Sequence, residues 1–409
     1  MGSPLSPTLL RCYHVDKDAR PNQAFELDPR GGLLTKHLPA TASSSQAGRP
    51  RPQSSLPPCD LDMSVQSSHL GRSAATYQRV GRFFVAHGRS ALRGPDQTLL
   101  THDPATGWAQ PMDLYHPPGP ARGTIMSVHG MSLLGCRDPR IIRLHRAFAE
   151  AGFLVVAPDF PSIRDLRIHA EQPLEVVRAM RALRAASWCT HPDALRVFSV
   201  SFSSALALRA AAHPDVAAAI SSLCIMGGFA TMEEVVAWLL CDPQADPYGR
   251  QLVLANTLEL LGPSHEAAGP LLLAHAKANF LKLPVCLEGP AWSTATPDTR
   301  EIVRALHEDP DYRVRCWQEL HPRLRPLYDA FDPVRHLHEV RADLVLIHGE
   351  NDPVIPPSQS LTLADAARRI GIRVHVVVTP LLSHGDPAPP SRMLRHVPAL
   401  AGAFGRFFA

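Results

Sequence analysis

The chain has no C-x-x-C pair and no Cys/His cluster at zinc-ligand spacing, although it carries eight cysteines, at 12, 59, 136, 189, 224, 241, 286 and 316. In a sequence of 409 residues these read as free thiols, mostly small core residues, and a reducing, cytoplasmic setting is the expectation. Dense Lys/Arg blocks are missing too, and the formal net charge of +3 is small for this length. Neither nucleic acid nor an anionic membrane surface is therefore expected as the main partner. The longest mostly apolar stretch, "AAAISSLCIMGGFA" at 217–230, is too short to span a bilayer. The N-terminus lacks the positive start and apolar core of a secretory signal. Its "MGSPLS" fits the loose M-G-x-x-x-[ST] myristoylation pattern, and one lipid alone anchors weakly. With no glycine-rich nucleotide loop, metal-ligand cluster or aromatic platform for bases, the sequence calls for no cofactor and no metal. No internal repeat is present, and oligomeric state is left open.

What is present is a hydrophobic content of 45%, enough for a sizeable core in one large domain or two ordinary ones. Residues 1–75 stand apart. Stretches such as "TASSSQAGRPRPQSSLPP" (41–58) are rich in Ser, Pro and Gly and bury too little apolar surface to offset their ordering entropy, which predicts a flexible arm.

From about 97 strands and helices alternate. "WAQPMDLYHP" (108–117), "GTIMSVHG" (123–130), "FLVVAPDF" (153–160), "RVFSV" (196–200), "VAAAISSLCIMGG" (216–228), "ADLVLIHG" (342–349) and "IRVHVVVTP" (372–380) read as strands. Helical patterns lie between them, as in "DPRIIRLHRAFAEAG" (138–152), with Asp138 at its start, Pro139 in its first turn and Gly152 past its end. This order predicts an α/β fold with a doubly wound, mostly parallel sheet. Residues 231–340 break the rhythm with helical stretches such as "TMEEVVAWLL" and "TREIVRALHE", and read as an insertion between two strands of one sheet. The expected division is a core of 76–230 plus 341–409 and a helical cap at 231–340.

In an open parallel sheet, functional groups collect beyond the carboxyl ends of strands. Ser201 follows "RVFSV", Asp352 follows "DLVLIHG" within "HGENDPVIP", and His384 follows "VHVVVTP" within "LLSHGD". The order Ser, Asp, His suits a nucleophile, an orienting acid and a base. A serine hydroxyl attacks well only when a neutral imidazole takes its proton, and that imidazole needs a carboxylate to fix its tautomer. A sharp strand-to-helix turn would expose the hydroxyl and aim the next backbone N–H, that of Phe202, at a developing oxyanion. Met131, in "HGM" at an earlier strand end, offers a second N–H.

On the segments "VHGM", "SVSFSS", "HGENDPVIP" and "SHGD" the chain resembles the α/β-hydrolase-fold family over about 97–409, with a cap inserted after the sixth strand. The resemblance implies a nucleophile at Ser201, an acid at Asp352, a base at His384, and an oxyanion hole from the N–H groups of Phe202 and Met131. It implies hydrolysis of an ester or related acyl bond of a small-molecule substrate through an acyl-enzyme. Thioesterase, amidase and cofactor-free haloperoxidase chemistry stay open, as does a binding or scaffold protein on the same fold with weak or lost catalysis. One departure stands out: the family elbow is G-x-S-x-G, whereas here both glycines are serines, Ser199 and Ser203. Glycine at either position is expected to relieve crowding.

Competing residues have plainer readings. Ser199, Ser203 and Ser204 lack the central position between small residues. His129 reads as a packing and hydrogen-bonding residue, His375 as a strand residue facing a sheet surface, and Asp159 as a loop or cap residue. Glu350 fits the acid role less well than Asp352 because of its offset from the strand end.

Overall fold

Apolar runs bounded by turn residues become the strands of one large sheet. The structure, a computed structural model, describes residues 25–27, 33–35, 74–88, 93–281, 290–382 and 396–409. The chain divides into a unit of residues 1–68 and a unit of residues 69–409. In the first, β1 (Phe25–Leu27) and β2 (Leu33–Thr35) pair antiparallel; the rest of the expected arm, up to residue 73, lies outside the described residues.

The second unit holds β3 (Gln97–His102), β4 (Ala109–Tyr115), β5 (Thr124–Val128), β6 (Leu154–Pro158), β7 (Leu195–Val200), β8 (Ile220–Met226), β9 (Asp343–Gly349) and β10 (Val374–Thr379). Their order across the sheet is β10-β9-β8-β7-β5-β6-β4-β3. β4 runs antiparallel to both β3 and β6, and the other pairings are parallel. The expected parallel sheet is thus right for six strands and is extended by an antiparallel pair at one edge. The stretch read as a strand over 216–228 is shorter in the structure. His213 accepts from the Asp215 N–H through Nδ1, Pro214 opens a one-turn helix (Pro214–Ala217), and β8 begins only at Ile220.

Both faces of the sheet are covered. Successive residues of one strand enter opposite cores: Met126, Val156, Val197 and Leu346 face one side, and Ile125, Val155, Phe198 and Ile347 the other. That two-sided burial is why these strands read as unbroken apolar runs. The second core also takes in the helix Ala74–Gly88, a stretch to which the sequence reading gave no element. Its Phe83 ring lies 4.3 Å from Phe404 and 5.2 Å from Phe148, centroid to centroid. The cysteines Cys136, Cys189, Cys224 and Cys316 are buried and free, as expected of small core residues.

Between β8 and β9 the described residues form helices and no strand. Three of these helices start the same way, with Pro in the first turn behind a capping side chain. Asp246 accepts from the Gly249 N–H, Thr296 from the Thr299 N–H, and Asp309 from the Asp311 and Tyr312 N–H groups. Apolar residues of the helices between β8 and β9, including Val235, Leu239, Leu320 and Phe331, join the first core. No helix among the described residues is long and apolar enough to cross a membrane.

Candidate active site

β5 lies between β6 and β7, so the chain leaves β5 to one side and returns to its other side after β6. The strand order reverses there, and in open α/β sheets such a reversal is where a ligand crevice forms, beyond the carboxyl ends of the strands, here β5 and β7. Val128 pairs with Ser199, so two residues further along each strand Gly130 and Ser201 stand side by side. The approach is close. A Cβ on Gly130 would lie 3.2 Å from Val200 Cγ2 and 3.5 Å from the Ser201 Cβ, which leaves room for glycine and little else.

Ser201 itself has φ +57°, one of two positive-φ non-glycine residues among those described. A left-handed non-glycine residue costs on the order of 1–3 kcal/mol and persists only where its surroundings fix it. Here the Ser201 N–H donates to the Met226 carbonyl at the end of β8 (2.9 Å), and the Ser201 carbonyl accepts from the Ser204 N–H (2.9 Å) at the start of the helix Ser203–Ala211. The chain therefore turns sharply from strand to helix on the serine. Phe202 stands at the helix N-terminus, where the first N–H groups have no partner within the helix. Its ring packs 5.2 Å from that of Phe331 in the helical segment.

The two elbow serines are fully buried but not equivalent. The Ser203 hydroxyl donates to the His129 carbonyl and so ties the start of the helix to the end of β5. The Ser199 hydroxyl has no partner among the described residues. Glycine at Ser203 would remove this bond, whereas at Ser199 it would remove a hydroxyl that makes none among the described residues.

His129 is buried, and burial pushes its pKa down, as befits a neutral packing residue. Its Nε2 accepts from the Phe160 N–H (3.1 Å), which places the proton on Nδ1, and Nδ1 donates to the Gly130 carbonyl (3.0 Å). That carbonyl belongs to the same peptide as the Met131 N–H. The histidine thus orients the peptide carrying the expected second oxyanion donor. Asp159 pairs with Arg164 in the loop after β6, in keeping with a loop role.

Asp352 is buried, whereas Glu350 is exposed. One Asp352 oxygen accepts from the Val354 and Ile355 N–H groups (2.9 and 3.0 Å), and the other lies 3.5 Å from His348 Nε2. That second oxygen would stand 3.6 Å from a Cβ on Gly227, the residue directly after β8. Since Ser201 bonds to Met226, the carboxylate lies just across the β8 end from the serine. His384, the expected base, falls with its loop outside the described residues. Of the five residues singled out in the sequence, four thus line the same end of the sheet.

The helical segment adds contacts that no sequence pattern announced. The Trp238 Nε1–H donates to the Pro353 carbonyl (3.2 Å), and the Asp246 N–H donates to the same oxygen (2.9 Å). The Tyr248 hydroxyl donates to the Met131 carbonyl (2.8 Å). One short stretch therefore touches both the loop of Asp352 and the loop of Met131.

The profile of the prolyl oligopeptidase family matches residues 303–400, a stretch that contains Asp352, β10 and His384. Together with the strand order and the strained serine turn, this settles the fold. The chain is an α/β-hydrolase-fold protein. Solved structures similar to this hydrolase-fold chain include an acylaminoacyl peptidase from Pyrococcus horikoshii, at 13% identity over 78% of this chain and 42% of that one, with a TM-score of 0.45. A puromycin-hydrolyzing peptidase from Mycobacterium tuberculosis is 15% identical over 78% of this chain and 40% of that one, TM-score 0.47. Dipeptidyl peptidase 4 from Porphyromonas gingivalis is 8% identical over 77% of this chain and 35% of that one, TM-score 0.45. The chain therefore spans well under half the length of these peptidases. No curated protein matches it.

Proposed function

We propose that this α/β-hydrolase-fold protein is a serine hydrolase that cleaves an acyl bond through an acyl-enzyme on Ser201. The observation that carries the reading is the left-handed Ser201 (φ +57°) on a strand-to-helix turn, set against Gly130. A serine in that backbone conformation costs energy, and the cost has a use when the hydroxyl must project into the crevice. In the proposed reaction, Ser201 Oγ attacks a carbonyl carbon while His384 takes its proton. Asp352 holds the imidazole, and the N–H groups of Phe202 and Met131 meet the oxyanion. Collapse expels the amine or alcohol, which receives the proton from His384, and a water then repeats the sequence to release the acid.

The helices at 231–340 act as the cap in this reading, since Trp238, Asp246 and Tyr248 reach the loops on both sides of the serine. An amide of an amino acid or peptide is the preferred substrate class over a simple ester. What supports this is the match of 303–400, with both the acid and the base inside it, to a family of peptidases.

The test is labelling by a fluorophosphonate probe, mapped by mass spectrometry, together with turnover of aminoacyl 4-nitroanilides and p-nitrophenyl esters. Label on Ser201, lost in Ser201→Ala, is the expected result, with the anilides turned over. Folded protein that takes no label would overturn the reading in favour of a binding or scaffold protein on this fold.

A further inference from the structure

Met131 is held from both sides. On its N-terminal side the Gly130–Met131 peptide is fixed by the His129 Nδ1–H to Gly130 carbonyl bond (3.0 Å). On its C-terminal side the Met131 carbonyl accepts from the Tyr248 hydroxyl (2.8 Å), which comes from the helix Pro247–Ala255, more than a hundred residues later in the chain. The first of these bonds is internal to the sheet unit. The second depends on the helical segment being seated.

We infer that Tyr248 is a positioning residue for the oxyanion loop, so that the Met131 N–H keeps its aim at the oxyanion position only while the Tyr248 hydroxyl holds the Met131 carbonyl. The inference depends on the proposed hydrolase reading and goes beyond it by making the hole a joint construction of sheet and insert. The physical argument is one of torsions. With the peptides on both sides of Met131 tied, neither its φ nor its ψ can relax without breaking a hydrogen bond. With Tyr248 withdrawn, the Met131–Ser132 peptide loses that bond and can turn about the Met131 ψ, while Ser132 itself stays anchored through its hydroxyl, which donates to Asp138 (2.8 Å), and its carbonyl, which accepts from the Gly135 N–H (2.9 Å). Burial also pushes the Tyr248 phenol up, so it stays a donor throughout the working pH range. Its ring, packed 6.1 Å from Phe280, keeps its place in a phenylalanine variant, so the substitution removes one bond and little else. Preorganised donors of this kind act through small displacements, since the oxyanion must sit close to 3 Å from each of them.

The test compares an activated ester with its thionoester in wild type, Tyr248→Phe and Trp238→Phe. Sulfur accepts hydrogen bonds poorly, so the thionoester draws little help from an oxyanion hole, and the ester-to-thionoester ratio of kcat reports the hole directly. In Tyr248→Phe we expect ester kcat to fall about tenfold, the thionoester rate to stay within twofold, and KM for both to change little. Trp238→Phe loosens the same stretch at Pro353 and should leave the ratio unchanged. A Tyr248→Phe ratio equal to wild type overturns the inference. So does an equal fall of the ratio in Trp238→Phe, which would assign the effect to general loosening. Wild-type protein inert to both esters and to a fluorophosphonate brings down the hydrolase reading and this inference with it. Wild-type turnover with an unmoved ratio brings down this inference alone.

Discussion

The two serines that replace the elbow glycines should respond to substitution with opposite signs. Ser199→Ala removes a hydroxyl that is fully buried and has no partner among the described residues. A buried unpaired hydroxyl costs on the order of 1–3 kcal/mol, and its removal leaves a methyl in the same space. Alanine is a slightly poorer strand residue, which takes back a few tenths of a kcal/mol. The net expectation is stabilisation of about 1 kcal/mol. Ser203→Ala instead removes the donor to the His129 carbonyl, and neither group has access to water that could replace it. That loss should cost about 1–3 kcal/mol. The two variants should therefore lie about 2–4 kcal/mol apart in unfolding free energy, although the sequence treats the positions alike.

Urea unfolding read by circular dichroism measures this, with the midpoint moving up for Ser199→Ala and down for Ser203→Ala at constant slope. Shifts of the same sign would refute the reasoning, because they would show that the two hydroxyls share one environment. Glycine in place of alanine adds a further penalty of about 0.5–1 kcal/mol in each case from backbone freedom, without changing the order.

Other outcomes follow from the same structure. Ser201→Ala and His384→Ala should each lower kcat on the order of 10⁴–10⁶-fold in folded protein, with Asp352→Asn less damaging and the double variant no worse than the singles. Deleting residues 2–68 should leave the melting temperature of the 69–409 unit nearly unchanged, as read by calorimetry; a large drop would mean that the first unit supports the second. His145 is buried against Ser127, and burial lowers its pKa from 6.5 to about 3. Below pH 6.5 the unfolded chain takes up a proton that the folded imidazole refuses, so stability present above that pH is lost on acidification toward 3. The loss is about 1.4 kcal/mol per pH unit at most, and urea midpoints for His145→Gln should fall less steeply between pH 6 and 4 than those of wild type.

What the sequence revealed depended on how locally each feature is determined. β5 to β9 were legible because both faces of each are buried, so that "TIMSV" and "LVVAP" carry an unbroken apolar signal. β3 was not. It is an edge strand whose residues are mostly exposed, with Thr101 alone fully buried, and its pattern does not rise above that of a loop. The helix Ala74–Gly88 was hidden for a different reason. It buries little beyond Thr76, Val80 and Phe83, and the rings that receive Phe83 come from Phe148, Phe404 and Phe408. No local periodicity shows partners so far away in the chain.

The same distinction runs through the site. Ser201, Phe202 and Met131 could be chosen from sequence because topology alone brings the ends of β5 and β7 together, whatever fills the space around them. Which hydroxyl bonds to which carbonyl is another matter. Ser203 and His129 are 74 positions apart, and Tyr248 and Met131 are 117 apart, so neither pairing leaves a trace at short range. A glycine pattern shows that backbones must come close on both sides of the nucleophile, and serine at both positions shows only that each can hold two more atoms. One of those serines faces the packed interior of the sheet and finds nothing to bond. The other faces the end of β5 and finds the carbonyl of the residue that sets the Met131 peptide. A substitution that looks like a doubled defect is, at Ser203, a second tie between the nucleophile's helix and the oxyanion loop.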